Sequence, residues 1–315
     1  MFDISVVLYY NYSRNWKILQ DFLLFFNKNK FLFHTIYRMI GGVLVKKIKK
    51  IIKPIVLVVS VFVFCFSAYQ LYDIFLEYKE NKDEYQGLNQ EVVVVPEEEK
   101  PESEPEKPKE EIPENKNWTP IDYTKIVIDF NKLKKTNSDV VAWIRFPNPA
   151  VINYPVVQGS DNDKYLKTSF QGRKNFAGTL FVDVLSEGDF AGQNTFIHGH
   201  NMKNGTMFGS LRRYKIKSFC TSNPYFYVYT PDGKVSTYQV FAACVVESNS
   251  KSYTKSYSTD EDFMDYINYI KQKSLYKTDV TVNAGSQIIS LSTCTGRTDT
   301  QRLLVHGVKI SEIQQ

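Results

Sequence analysis

The chain has 315 residues, of which 43% are hydrophobic and 15% aromatic, and a formal net charge of +5. This composition is compatible with a sizeable β-rich core. The charge is uneven, because residues 1–53 carry ten Lys or Arg against two Asp, whereas residues 97–111 carry eight Glu against three Lys. No basic run interleaved with aromatic residues occurs in the globular part of the sequence, which argues against nucleic acid as a partner.

An uncharged apolar segment, PIVLVVSVFVFCFSAYQLY, occupies residues 54–72. As a helix, its 19 residues nearly match the roughly 30 Å hydrocarbon core of a bilayer. Five lysines lie between Lys46 and Lys53, and this asymmetry predicts a single-pass transmembrane helix with residues 1–53 in the cytoplasm and the rest outside the cell. A cleaved signal peptide is an alternative, but the apolar run is long and lacks a convincing small-residue cleavage site. A buried core helix is the other alternative.

The first 40 residues are aromatic and basic and have no clear targeting signature. The stretch 21–40 could form an interfacial helix. Alternatively, translation starts at Met39, because MIGGVLVKKIKKIIKPIVLVVS forms a short basic leader that continues directly into the apolar segment. We favour the second interpretation.

Residues 73–118 are predicted to form an extracellular stalk and linker. The segment from Asp73 to about Gln90 is polar, charged and compatible with a helix. The following VPEEEKPESEPEKPKEEIPENKN, residues 95–117, has almost nothing to bury. Because such Pro-, Glu- and Lys-rich segments stay extended and solvated, we expect a spacer that holds the next domain, residues 119–315, away from the membrane.

From residue 119 onward the sequence is typical of a globular, mainly β domain. Short apolar or alternating runs are bounded by Gly, Pro, Asn or Asp, as strands commonly are. The predicted strands are 141–146, 150–157, 178–183, 194–199, 225–230, 235–246, 279–283, 287–294 and 302–310. One helix, TDEDFMDYINYIKQKSLY, is predicted between them, with Phe263, Tyr266, Ile267 and Ile270 on one face. This pattern favours a closed barrel over a parallel sheet.

The stretch SLSTCTGRTDTQRLLVHG, residues 290–307, combines a thiol and a guanidinium. If runs 287–294 and 302–310 pair as a hairpin, Cys294 lies opposite Arg302, with Cα atoms about 4.5–5.5 Å apart. A nucleophile beside a permanent hydrogen-bond donor is what acyl transfer requires. The alternative is a buried structural cysteine beside a solvated arginine.

An acid or base is also needed, and the chain has four histidines. His34 lies on the cytoplasmic side of the predicted span, and His306 lies about 13 Å along the strand from Arg302, which favours a structural role. His198 ends an apolar run, whereas His200 lies past Gly199 at the start of a polar loop, where catalytic groups are common. We therefore predict His200 as the general acid and base.

The ending LSTC, the arginine eight residues later and the GHN motif followed by TMF resemble the sortases, which are membrane-anchored cysteine transpeptidases of Gram-positive bacteria. The similarity covers about residues 120–310. INYPVVQGSDNDKYL, GTLFVD and the inserted helix resemble class B sortases in particular. Two departures occur: Ser290 replaces the first Thr of the family's T-L-x-T-C, and His198 stands where class B often has Tyr. We expect His198 to pack as an aromatic ring, although an effect on pH dependence is the alternative.

The resemblance implies an eight-stranded sortase-type β-barrel with an N-terminal helical region and a helix inserted before the last two to three strands. It also implies that Cys294 is the nucleophile, His200 the general acid and base, and Arg302 the oxyanion or substrate clamp. Residues expected to line the substrate groove are Asn162, Leu166, Tyr253 and Ser292. Their alternatives are structural: a turn former for Asn162, a core residue for Leu166 and an ordinary strand residue for Ser292.

The implied reaction cleaves a C-terminal sorting motif of a secreted protein after Thr, and an amine of a cell-wall precursor accepts the acyl group. Motifs similar to N-P-x-T-x or S-P-x-T-x are expected, and the sequence does not decide between them. An extracellular cysteine peptidase and a non-enzymatic, surface-tethered barrel are alternatives. Pilus-building sortases commonly carry a lid segment and a second C-terminal membrane span, and neither pattern is evident.

No metal-binding spacing or nucleotide-binding motif occurs, so we expect no cofactor and no metal. A disulfide between Cys220 and Cys244 is compatible with an extracellular location. We favour a small buried residue at Cys244, because this residue lies within an apolar strand.

Overall fold

The computed structural model describes residues 42–95, 121–149, 151–296 and 300–315. The N-terminal segment before Gly42 and most of the predicted spacer, residues 96–120, lie outside the described residues. The chain divides into two compact units, Met1–Lys79 and Glu80–Gln315.

A single helix, α1 (Gly42–Val92), contains the whole predicted membrane segment. In the described part of the chain, one helical stretch, 52–92, is long and apolar enough to cross a membrane, and its apolar window is not buried. Phe62 and Phe64 within it are 71% and 74% exposed. Exposure of such large apolar side chains is typical of a helix surrounded by lipid and not of a helix in a protein core.

The end of α1 belongs to the second unit. Tyr85, Leu88 and Val92 are buried, and the Tyr85 hydroxyl donates a hydrogen bond of 3.0 Å to the Gly178 carbonyl. Strand β1 (Val93–Val94) then pairs antiparallel with β2 (Val127–Ile128). Residues 80–92, which the sequence analysis assigned to the stalk, are therefore packed as part of the globular unit.

Eight strands close into a barrel, as predicted. They are β3 (Val140–Arg145), β4 (Asn153–Val157), β5 (Leu180–Val182), β6 (Asn194–His198), β7 (Tyr225–Tyr229), β8 (Lys234–Glu247), β9 (Ile288–Cys294) and β10 (Gln301–Gln314). Their order around the barrel is β10-β8-β7-β3-β4-β5-β6-β9. Two contacts, β4 with β5 and β6 with β9, are parallel, so strands from distant parts of the sequence become neighbours.

In the described part of the globular unit, α-helices that accompany the barrel are α2 (Phe130–Thr136), α3 (Lys217–Ser222) and α4 (Asp260–Lys273). Helix α4 precedes the last two strands and is the predicted insert. It begins with a capping box in which Thr259 and Asp262 bond each other's backbone N–H groups. Its predicted apolar face is buried, and this face covers a cluster that includes Phe196, Cys244 and Leu304.

The prediction of a strand at 279–283 is wrong. These residues form no ladder with a neighbour. Val280 and Val282 instead pack against the cluster beneath α4. Their alternating apolar pattern is therefore explained by side-chain packing against this cluster and not by strand pairing.

Candidate active site

Strands β9 and β10 pair antiparallel with Cys294 directly opposite Arg302. The predicted hairpin register is therefore confirmed. Cys294 is partly exposed and is a free thiol, whereas the preceding Ser292 and Thr293 are buried. The strand thus places the sulfur at the barrel rim, where it is partly accessible to solvent.

The segment that carries His200 runs beside the end of β9. Because β6 and β9 are parallel, His198 pairs with Ser292, and the Gly199 N–H donates to the Ser292 carbonyl over 3.1 Å. Two residues beyond this pair, the first segment reaches His200 and β9 reaches Cys294. Gly199 is also packed closely against β5, since a Cβ there would lie 2.3 Å from a Leu180 methyl carbon.

The His200 ring is oriented by a main-chain carbonyl. Its Nε2 lies 2.7 Å from the Leu166 oxygen, and because a carbonyl only accepts, Nε2 carries the hydrogen. Nδ1 is then the ring nitrogen that can exchange a proton. Leu166 is itself held close to Gly178, whose φ is +60° and where a Cβ would lie 2.9 Å from the Leu166 oxygen.

Tyr253 and Ser292, both predicted groove residues, contact each other. Their hydroxyl oxygens are 2.7 Å apart, and the Tyr253 ring stacks on Phe196 with centroids 5.4 Å apart. Burial raises the pKa of Tyr253 to about 12, an effect that the Ser292 hydrogen bond and the Arg302 charge oppose and the Cys294 charge reinforces. Tyr253 therefore stays protonated at neutral pH and lies within electrostatic range of both rim groups.

The remaining groove candidates have distinct environments. Asn162 is half-buried, and its side-chain oxygen accepts a 2.8 Å hydrogen bond from the Val184 N–H in the turn after β5. Leu166 is also half-buried, and its backbone carbonyl provides the contact to His200. Ser292 is only 3% exposed, so its hydroxyl serves as a partner for Tyr253.

Sequence reasoning missed Asp183 and Lys255. The buried Asp183 carboxylate lies 2.9 Å from His198 Nε2 and 3.3 Å from Lys255 Nζ. Burial tends to raise the pKa of Asp183, but the hydrogen bond from His198, the Leu185 N–H and the Lys255 charge together hold it well below its usual range. In the sequence, Asp183 is visible only as the last residue of GTLFVD, and nothing in that motif indicates which residues contact it.

His198 packs as an aromatic ring, as expected, and it also has a polar partner. It stacks on Phe181, with centroids 5.2 Å apart, and lies parallel to Tyr253 at 6.5 Å. Its hydrogen bond to Asp183 was not anticipated. The His198 imidazole is thus fixed on two sides.

The other cysteines of the globular unit are unpaired. Cys220 and Cys244 are both buried and free, and the Cys244 sulfur lies 3.5 Å from the Ile270 carbonyl of α4. The alternative of a Cys220–Cys244 disulfide is therefore wrong. Within the described ranges, no group of three or more His, Cys, Asp or Glu side chains could hold a metal ion.

A family model described as a sortase domain matches residues 144–310. The chain belongs to the sortase family. It is 34% identical to sortase B of Listeria monocytogenes over 188 residues, which cover 58% of this chain and 75% of that protein. Strands β4 to β9 and the paired residues Cys294 and Arg302 lie within residues 144–310.

Solved structures assign the class. A Staphylococcus aureus sortase B–substrate complex is 30% identical, has a TM-score of 0.54 and is matched over 58% of this chain and 84% of that one. Sortase B from Bacillus anthracis in complex with AAEK1 is 28% identical, has a TM-score of 0.60 and is matched over 76% of this chain and all of that one. This sortase is a class B cysteine transpeptidase.

Proposed function

We propose that this sortase cleaves a C-terminal sorting motif of secreted proteins after Thr and transfers the new carboxyl group to a cell-wall amine. Cys294 is the nucleophile, Arg302 the oxyanion clamp and His200 the general acid and base. The observation that carries the proposal is the direct pairing of Cys294 with Arg302 at the barrel rim. It supplies a nucleophile and a fixed cationic donor on neighbouring strands.

In the first half-reaction, the Cys294 thiolate attacks the Thr carbonyl carbon and forms the C–S bond. Charge develops on the carbonyl oxygen, and the Arg302 guanidinium, which stays protonated, stabilises it. The C–N bond then breaks, and the leaving amine takes the Nδ1 proton of His200, which enters this step as the imidazolium with both ring nitrogens protonated. The Leu166 carbonyl supports this role because it holds Nε2–H and leaves Nδ1 for the exchange.

In the second half-reaction, an amine of a cell-wall precursor attacks the thioacyl carbon. His200, now neutral, takes the proton of the attacking amine at Nδ1. The C–S bond breaks and the thiolate is regenerated, so the two steps leave the enzyme unchanged. The products are a released C-terminal peptide and a new amide bond to the cell wall.

The proposed sorting motif is similar to N-P-x-T-x or S-P-x-T-x. We place its recognition at Asn162, Leu166, Tyr253 and Ser292, among which the Tyr253–Ser292 hydrogen bond fixes one wall beside Cys294. The substrates would be secreted proteins that carry such a motif, and the acceptor a peptidoglycan-precursor amine. No metal or cofactor takes part in the proposed reaction.

We further propose that α1 anchors the enzyme in the cell membrane as a single span, with the N-terminus in the cytoplasm and the barrel outside. The lysines between Lys46 and Lys53, ahead of an apolar stretch with exposed side chains, support this orientation. The domain boundaries inferred from the sequence, 1–53, 54–72, 73–118 and 119–315, are part of this proposal. The packing of residues 80–92 extends the globular unit toward the N-terminus.

The test uses fluorogenic peptides with N-P-x-T or S-P-x-T cores, the full chain in detergent and triglycine as acceptor amine. A ligated product that depends on Cys294, His200 and Arg302 is the expected result. Hydrolysis with no ligation would identify a peptidase that uses water as acceptor. Turnover that persists in Cys294→Ala would end the proposal.

A further inference from the structure

We infer that Asp183 is a positioning residue for this reaction, because its one carboxylate fixes both the segment that carries His200 and the loop that carries Tyr253. The inference rests on the proposed roles of these two residues. It adds a residue that acts through His198 and Lys255. Asp183 follows β5 directly, and its side chain is 4% exposed.

The first tether runs to β6. His198 Nε2 donates to the Asp183 carboxylate over 2.9 Å, and His198 is the last residue of β6. His200 lies two residues further along the chain. A fixed His198 therefore fixes the point from which the backbone turns to present the catalytic imidazole.

The second tether runs to the loop between β8 and α4. Lys255 Nζ lies 3.3 Å from the same carboxylate oxygen, and its side chain is 19% exposed. Lys255 lies two residues after Tyr253, whose hydroxyl bonds Ser292 of β9. The same loop is also held at Thr254, whose carbonyl accepts a 3.1 Å hydrogen bond from the Asn194 side chain of β6. The Lys255–Asp183 contact adds a charged attachment between this loop and the residue that follows β5.

The two tethers converge on the same aromatic stack. Tyr253 lies parallel to His198, with a 2° angle between the ring planes, and Lys255 Nζ lies 5.8 Å from the Phe196 ring centroid. A buried carboxylate is tolerated only when it is fully paired, and Asp183 also accepts from the Leu185 N–H over 3.0 Å. Loss of its charge should thus loosen both segments together.

Three variants separate the tethers. His198→Phe keeps the ring in the stack but removes the bond on the His200 side, so we expect kcat to fall with little change in KM. Lys255→Met removes the bond on the Tyr253 side, so we expect KM to rise with little change in kcat. Asp183→Asn should do both, with a combined loss in kcat/KM of about 10- to 100-fold.

The matched control is Asp232→Asn, which removes an Asp–Lys pair of 2.7 Å with Lys234. Val246 pairs with Arg302, and Lys234 lies 12 residues before Val246 along β8. At 3.3 Å per residue, this length of strand is roughly 40 Å. This control should leave kcat and KM within about twofold. Active-site titration of Cys294 with a thiol reagent corrects each rate for the folded fraction.

Hydrogen exchange gives a readout that does not depend on turnover. The Tyr253 and Thr254 amides should exchange faster in Asp183→Asn and Lys255→Met, while the α4 amides remain as protected as in the wild type. The inference is overturned if Asp183→Asn keeps kcat/KM within about twofold of the wild type. It is also overturned if His198→Phe, Lys255→Met and Asp183→Asn all change kcat and KM in the same proportion. Inactive Cys294→Ala beside an unaffected Asp183→Asn overturns this inference alone, whereas active Cys294→Ala overturns the proposed function.

Discussion

The His200 imidazole and the Leu166 carbonyl are joined by a hydrogen bond of 2.7 Å from Nε2 to oxygen. Leu166 thus contributes its backbone to the site, in addition to any contact that its side chain makes with substrate. The position of this carbonyl depends on Gly178, which lies against the carbonyls of Tyr165 and Leu166. The glycine that opens the GTLFVD motif therefore controls the orientation of the proposed acid and base.

Gly178→Ala should reduce both stability and turnover. Its new Cβ would lie 2.3 Å from the Tyr165 oxygen at a φ of +60°, so we expect a loss of about 3 kcal/mol or more in the free energy of unfolding. Gly172→Ala is the matched control, because its φ is +81° with nothing within 4 Å of the added Cβ. It should cost only about 1–2 kcal/mol and leave kcat unchanged. Equal losses in denaturant titrations of the two variants would contradict the close-contact argument.

Arg302→Lys should lower kcat/KM by about 100-fold, because a compact ammonium cannot reproduce the fixed donor geometry of a guanidinium toward a developing oxyanion. Peptide-cleavage kinetics measure the effect. Arg212→Lys, at an exposed position after His200 in the sequence, serves as the control and should retain wild-type kinetics. If Arg302→Lys retains full activity, Arg302 is not the oxyanion donor.

The Tyr253–Ser292 hydrogen bond should appear as a coupling in a double-mutant cycle. We expect Tyr253→Phe and Ser292→Ala each to raise KM, and the double variant to do little worse than either one. The coupling should be about 0.5–1.5 kcal/mol, because both variants remove the same bond. Tyr225→Phe, at the exposed start of β7, is the control paired with Ser292→Ala. Additive effects of Tyr253→Phe and Ser292→Ala would show that the two hydroxyls act separately.

The buried His306 should make stability fall with acid. Burial lowers its pKa to about 3, whereas the unfolded chain binds the proton near the ordinary value of about 6.5. Stability is therefore present above about pH 6.5 and is lost as the pH falls toward 3, with about 2 kcal/mol lost between pH 7 and pH 5. In urea titrations, His306→Gln should have a flatter pH dependence over this interval. Parallel curves for wild type and His306→Gln would refute the assignment.

Cysteine alkylation at neutral pH should be selective within the globular unit. Cys294 is partly exposed, whereas burial raises the pKa of Cys244 to about 12 and also raises that of Cys220. Iodoacetamide should modify Cys294 in the folded protein and reach Cys220 and Cys244 only after denaturation, because the thiolate is the reactive form. Mass spectrometry of peptides reads the result. A Cys220–Cys244 disulfide in the unreduced sample would contradict the structure.

Local pattern was sufficient to predict several elements. The β9–β10 register followed from two alternating runs and the length of their loop, since neighbouring strands in a hairpin have few ways to pair. Helix α4 followed from its capping sequence and from Phe263 and Ile267 on one face. The same use of alternating apolar residues gave a wrong strand at 279–283, because the alternation of Val280 and Val282 reflects packing against the α4 cluster.

The sequence by itself determined the apolar span, the closed β domain, the pairing of Cys294 with Arg302 and, through its motifs, the sortase family. Only the tertiary structure decided which side chains hold the segments that carry the proposed catalytic and groove residues. Asp183, His198 and Lys255 belong to three segments that meet because β5 pairs with β6 and the loop after β8 folds back over the barrel. Periodicity and spacing report neighbours along one element, whereas contacts between distant segments depend on how the barrel closes.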